Sequence, residues 1–221
     1  MVDTFYRHAL KKHESQDYII CNENNIVLCD GCSSSPLTEV GSRIIAHIAL
    51  EEISKIDQLI YSPYTIIRKA EKVIKDLSLP ETCLDCTLVT LRKRDYYLAN
   101  FFGDGTFAWE TDKVYTQKME YTDNAPFYIS YYLNSEREQA WRAKGQKYLI
   151  NGSPINGNCC HWECTGKKVA IFSDGIDSFD ENMVESVFDI KTSKGKFLKR
   201  RCNHITNDHW DDFSVGMFYE A

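Results

Sequence analysis

Several features that would mark a secreted, membrane-bound or nucleic-acid-binding protein are scarce in this chain. Proline and glycine are few, at 5 and 11 of 221 residues. No Ser/Gly/Pro-rich tract or charge block interrupts the sequence, so one domain spanning 1–221 is expected. The apolar runs are only a handful of residues long, far short of the ~20 that cross a bilayer. The opening Met-Val-Asp-Thr-Phe-Tyr-Arg-His lacks an apolar stretch ahead of small residues, so no secretory leader is expected. Positive charge is short as well: Lys and Arg total 26 against 32 Asp and Glu, a net charge of −6. That balance disfavours general nucleic-acid affinity, which draws on Lys and Arg to release counterions. It leaves room for a phosphorylated ligand if metal ions supply the positive charge.

Cysteine is abundant, and its pattern suits reduced thiols better than a disulfide framework. Nine cysteines are an odd number, scattered through apolar runs such as Ile26-Val27-Leu28-Cys29, which suits reduced thiols in a core and a cytoplasmic location. Two Cys-x-x-Cys pairs, Cys29/Cys32 and Cys83/Cys86, together with Cys159-Cys160-His161 and Cys164, raise the alternative of zinc. Cys29 continuing an apolar strand argues against it.

The 43% of hydrophobic residues suffices for a sizeable core. Tyr18–Cys21 and Ile26–Cys29 flank the turn-favouring Asn22-Glu23-Asn24-Asn25, a hairpin signal. Apolar side chains recur at helical spacing from Ile45 through Ile60, and again from Ile66 to Leu77 behind Ser62-Pro63, a cap followed by an N1 proline. Residues 87–91 and 96–102 read as a second hairpin, and residues 105–168 as short strands around a helix near Ser135–Lys144 that opens at Asn134 and ends at Gly145, with turns at Asn151-Gly152 and Asn156-Gly157. A strand at Val169–Phe172, a helix around Lys194–Ile205 and a strand at Phe213–Tyr219 complete an α+β chain with mainly antiparallel pairing. The basic run Lys194–Arg201 reads as the wet face of its helix.

The chemistry sits at strand ends. Asp17 precedes one apolar run, Asp30, Asp104 and Asp174 follow others, and Asp211-Asp212 precede the last. In an antiparallel sheet the start of one strand lies beside the end of its neighbour, so these carboxylates can meet at one rim. Asp30, Asp104 and Asp174 are each followed by glycine, which lets an ion approach the backbone and adds a carbonyl oxygen to the carboxylate. An Asp-Gly step is also an ordinary turn; its recurrence after separate strands favours the ligand role. Two carboxylates ~4 Å apart repel by about 4 kcal/mol at an effective dielectric of ~20, so such a cluster demands counter-charge. All-oxygen donors select Mg²⁺ or Mn²⁺ over Zn²⁺. Asp174, Asp177 and Asp180 are spaced by three, unlike the alternate positions of an EF-hand, so a calcium loop is discarded.

Glu14–Asp17, Leu28–Gly31, Thr87–Val89, Asn100–Gly105, Phe172–Gly175 and Asp211–Val215 together resemble, in order, the motifs of the type 2C metal-dependent serine/threonine protein phosphatases. Asp30–Gly41 is most similar to the compact prokaryotic or phage branch. The resemblance implies a four-layer α-β-β-α fold, a central antiparallel β-sandwich flanked by helix pairs, with a variable flap-like segment at about residues 112 to 166. It implies two Mn²⁺ or Mg²⁺ per chain, and a water or hydroxide between them that attacks phosphoserine or phosphothreonine in a protein substrate. By position, Asp30 would bridge both ions and the Gly31 carbonyl would join it on one. Asp174 and Asp211 would complete the other, Asp17 would hold coordinated waters, and Asp104 with Asp174 would form a weaker third site. Lys12 stands where an arginine usually binds phosphate, a point charge in place of a fork. Gln16, Cys32 and Asp212 replace a common glutamate, a histidine and an asparagine, which keeps a second reading open: a catalytically weak module that holds a phosphoprotein. His8 and His13 are further basic candidates, most simply solvated. No heptads assign an oligomeric state.

Overall fold

The computed structural model describes residues 1–9, 14–56, 61–179, 182–189, 197–205 and 210–220. In chain order the elements are β1 (Val2–Arg7), β2 (Tyr18–Cys21), β3 (Asn25–Cys29), α1 (Thr38–Lys55), α2 (Pro63–Asp76), β4 (Leu88–Lys93) and β5 (Tyr97–Phe102). There follow β6 (Gly105–Glu110), β7 (Val114–Tyr121), α3 (Ser135–Ala143), β8 (Tyr148–Ile150), β9 (Ser153–Ile155) and β10 (Cys160–Cys164). The last are β11 (Lys168–Phe172), α4 (Met183–Phe188), α5 (Phe197–Ile205) and β12 (Phe213–Tyr219).

The strands form a seven-stranded sheet ordered β1-β12-β11-β6-β7-β8-β9 and a five-stranded sheet ordered β10-β5-β4-β3-β2, with every pairing among the described residues antiparallel. Alternate residues of both sheets meet in one core: Ile26, Leu28, Val89 and Phe101 from the smaller sheet against Phe107, Val169, Ile171 and Phe218 from the larger. The opposite faces are apolar too. Val27, Cys29, Leu88 and Phe102 pack under Ile45, Ala49, Ile67 and Ile74 of the α1–α2 pair. Ala170, Phe172, Val215 and Met217 pack under Val187, Phe188, Leu198 and Cys202 of α4 and α5. The four layers expected from the resemblance are therefore present, because both sheets are apolar on both faces.

Local signals act as the sequence indicates. The Ser62 hydroxyl accepts from Tyr64 N–H at the start of α2, and the Asn134 side chain accepts from Arg137 N–H at the start of α3. The first helix ends at Lys55, because Ile56 is extended (φ −102°, ψ 126°), short of the Ile60 expected from the spacing; residues 57–60, like 194–196, lie outside the described residues. Additional to the sequence reading are β1, which pairs with β12, and the short α4, while the short strands expected between 105 and 168 are β6 to β10, with β6 and β7 forming a long hairpin. Among the described residues no helix is long and apolar enough to cross a membrane. None of the nine cysteines forms a disulfide with another.

Candidate metal and phosphate site

Strand register brings the predicted aspartates to one rim of the sandwich. Tyr18 pairs with Cys29, so Asp17 and Asp30 leave their strands side by side. Phe172 pairs with Val215, which sets Asp174 beside the Asp211-Asp212 step. Asp104 occupies the crossing from the five-stranded to the seven-stranded sheet, between Gly103 and Gly105, whose φ angles of 139° and 130° side chains rarely adopt. A Cβ on Gly175 would lie 1.7 Å from the Asp212 carbonyl oxygen, so the glycine lets these two acidic turns touch.

A cavity of about 190 Å³ opens on this rim, lined by Asp30, Gly31, Asp104, Asp174 and Asp211, with Cys32, Thr87, Asn124 and Tyr128 on its walls. Asp17 is 1% exposed, and its Oδ2 has no hydrogen-bond partner among the described residues. Burial first, then the Asp174 and Asp212 charges, pushes the Asp17 carboxyl from 3.8 up to about 7, against hydrogen bonds from Ser173 and Asp30. Asp30 and Asp104 are raised well above 3.8 by burial and then by neighbouring carboxylates. Among the described residues no three His, Cys, Asp or Glu side chains form a ready metal-holding group. The carboxylates face one cavity and repel across it. Hard oxygen donors with a shared need for counter-charge, and a buried carboxylate oxygen that no described residue hydrogen-bonds, fit divalent cations of the Mg²⁺ or Mn²⁺ kind.

The raised carboxyls fix a sign. In the metal-free protein the folded state holds protons that the unfolded chain releases between its ordinary carboxyl range and about pH 7, so stability falls as pH rises through that window. Metal-free protein is expected to melt roughly 5 °C higher at about pH 5 than at about pH 8, since this step crosses ~2 units of the window at ~1.4 kcal/mol each, discounted for coupling between the carboxyls. Adding Mn²⁺ at the higher pH should restore the loss. A metal-free melting temperature that is flat or rising across this range would contradict the carboxylate strain.

Neighbouring side chains hold the acidic loops in place. Asp212, 2% exposed, accepts from Ala9 N–H at 2.7 Å and from Gln16 N–H at 2.8 Å, so it clasps the segment leading to Asp17. The Gln16 amide donates to Thr38 Oγ1 at 2.9 Å and to the Cys32 carbonyl at 3.3 Å, steadying the Asp30-Gly31-Cys32 turn. Two positions flagged by the resemblance thus carry scaffold hydrogen bonds. Cys32 sits on the cavity wall, with its Sγ 3.1 Å from Ser34 Oγ. Lys12 and His13 lie outside the described residues, and the His8 ring contacts the Ala9 carbonyl at 2.9 Å.

Sequence reasoning missed the strongest clasp. Asp85 is 2% exposed, and Arg137 of α3 donates to both its carboxylate oxygens at 2.9 and 2.8 Å. Ser130 donates to Asp85 at 2.6 Å and Ser35 at 2.7 Å, while the Asp85 carbonyl accepts from Cys32 N–H at 2.8 Å. The segment after β7 is tied through this carboxylate to the turn that carries Asp30. The available signal was an ionisable residue inside the apolar run Cys83-Leu84-Asp85-Cys86.

No family model matches the chain, and no curated protein matches it in sequence. Solved structures do match. The catalytic domain of the serine/threonine protein phosphatase PstP, in complex with two manganese ions, superposes with a TM-score of 0.65 at 12% identity, covering 98% of this chain and 96% of that one. The Mycobacterium tuberculosis serine/threonine phosphatase PstP/Ppp matches at 0.63 and 13%, covering 100% and 99%. Stp1 of Staphylococcus aureus, also a serine/threonine phosphatase, matches at 0.62 and 12%, covering 100% and 94%.

Proposed function

We propose, from a fold shared end to end with the type 2C serine/threonine phosphatases, that this chain hydrolyses phosphoserine or phosphothreonine esters in proteins with divalent cations bound at the rim cavity. One observation carries the reading: Asp30, Asp104, Asp174 and Asp211, from four separate chain segments, line a single cavity. We assign Asp30 and the Gly31 carbonyl to one Mn²⁺ or Mg²⁺ ion, and Asp30, Asp174 and Asp211 to a second. Asp104 with Asp174 is assigned to a weaker third. Bound cations of this kind lower the pKa of water and offset phosphoryl charge. The chain's own part is to hold the carboxylates at one rim against their repulsion, to orient water through Asp17, and to present Lys12 to the phosphate. Phosphorylated protein is the proposed partner and the cytoplasm the proposed location.

A second reading is a phosphatase-like module that binds phosphoprotein without turning it over. Cys32 favours it, since it stands on the cavity wall where the resemblance expects a histidine. Phosphate release from a phosphoserine peptide separates the two. The expected result is release that requires Mn²⁺ and stops with chelator. Turnover indifferent to chelator would overturn the metal assignment, and tight binding without release would leave the module reading standing.

A further inference from the structure

Beside the carboxylate cavity lies a second one, of about 300 Å³, sharing Asp104, Asn124, Asp174 and Asp211 with the first. Its outer wall differs in chemistry. Trp210, directly before Asp211, leaves 70% of its surface exposed, an unusual position for so large an apolar group. Facing the same space are Asp177, Glu120 and Lys118, whose ammonium lies 3.0 Å from Asp177 and 2.7 Å from Glu120. One ammonium shared by two half-exposed carboxylates leaves the wall one negative charge in excess. Resting on the hydrolytic reading above, we propose that this second cavity is a substrate subsite that seats a basic side chain, arginine before lysine, flanking the phosphorylated residue.

Three properties of the wall select that side chain. A guanidinium can lie flat on an exposed indole face while its edge donates to a carboxylate, whereas a compact ammonium stacks less well. Asp177 and Glu120 supply carboxylate acceptors beside that face. The protein as a whole is acidic, at −6, and a phosphoester approaching it carries its own negative charge, so a cation next to the phosphate eases the approach. An acidic neighbour in the substrate would meet Asp177, Glu120 and the rim aspartates together. The two cavities join at Asp174 and Asp211, so an extended peptide with its phosphate in the first places an adjacent side chain in the second.

The test uses the full chain with Mn²⁺ and three phosphoserine peptides carrying arginine, alanine or glutamate beside the phosphoserine. The arginine peptide is expected to exceed the glutamate peptide in kcat/KM by about tenfold, the scale of one cation–π contact plus a half-exposed ion pair. The measured quantity is this ratio, which cancels any general loss of turnover in a variant. Trp210→Ala and the double variant Asp177→Asn/Glu120→Gln should each bring it to within about twofold, while Trp210→Phe keeps most of it. Equal rates on the three peptides, or a ratio unmoved by either change, would overturn the subsite. If the chain releases no phosphate from any peptide, the hydrolytic reading fails by itself. The same peptides ranked by calorimetric affinity then decide the subsite, with arginine tightest supporting it and equal affinities overturning it.

Discussion

Asp30→Ala should lower kcat/KM on a phosphoserine peptide by roughly a thousandfold or more, equivalent to about 4 kcal/mol of transition-state stabilisation. Asp30 is the carboxylate assigned to both ions, and it stands at the end of β3 on the wall of the rim cavity. Its removal also relieves repulsion, since its carboxyl is raised well above 3.8 by burial and by Asp17, Asp174 and Asp104. The metal-free variant should therefore melt no lower than the metal-free parent, and Mn²⁺ should raise its melting temperature far less. This pairing separates a ligand from a structural residue, because damage to the fold would lower both quantities. Activity within about tenfold of the parent would remove Asp30 from the metal assignment.

Arg137→Ala is expected to cost stability on a comparable scale. Asp85 keeps only 3% of its side chain exposed, and the guanidinium supplies two of its hydrogen bonds. Breaking a buried pair by removing one partner costs about 3–5 kcal/mol. Arg137 retains 28% exposure, so the low end of that range applies. At ~2–4 °C per kcal/mol for a chain of this size, thermal melts should fall by roughly 6–12 °C. A double change, Arg137→Met with Asp85→Asn, should lose less, since it leaves no unpaired buried charge. A fall of under about 2 °C in the single variant would show that Ser35 and Ser130 satisfy Asp85 on their own.

How far the sequence reveals this arrangement depends on where each signal resides. The β2–β3 hairpin, α2 and β12 are legible because apolar period, turn residues and caps all agree locally, as at Ser62-Pro63. By contrast, β1 is only partly buried, so its residues show no clean alternation, and what makes it a strand is pairing with β12 at the other end of the chain. The β6–β7 hairpin hides behind Gly105, which reads as a turn and begins a strand. At the site, the Asp-Gly steps are visible because each sits where a strand stops. Asn124 and Tyr128 are not, because they reach the cavity from short 3₁₀ turns and the links around them between β7 and α3. Asp85 was hidden for a related reason: its partners Ser35, Ser130 and Arg137 are 45 to 52 residues away, a distance no local pattern records.

The Asp212 clasp bears on the order of assembly. The groups it fastens, at Ala9 and Gln16, are separated from it by 203 and 196 positions, and β12 is hydrogen-bonded between β1 and β11. During synthesis the first strand leaves the ribosome long before its neighbour exists, and closing so long a loop is slow. The acidic rim therefore completes only after release of the 210–219 segment, and a nascent chain lacking it carries an open sheet edge and no working centre.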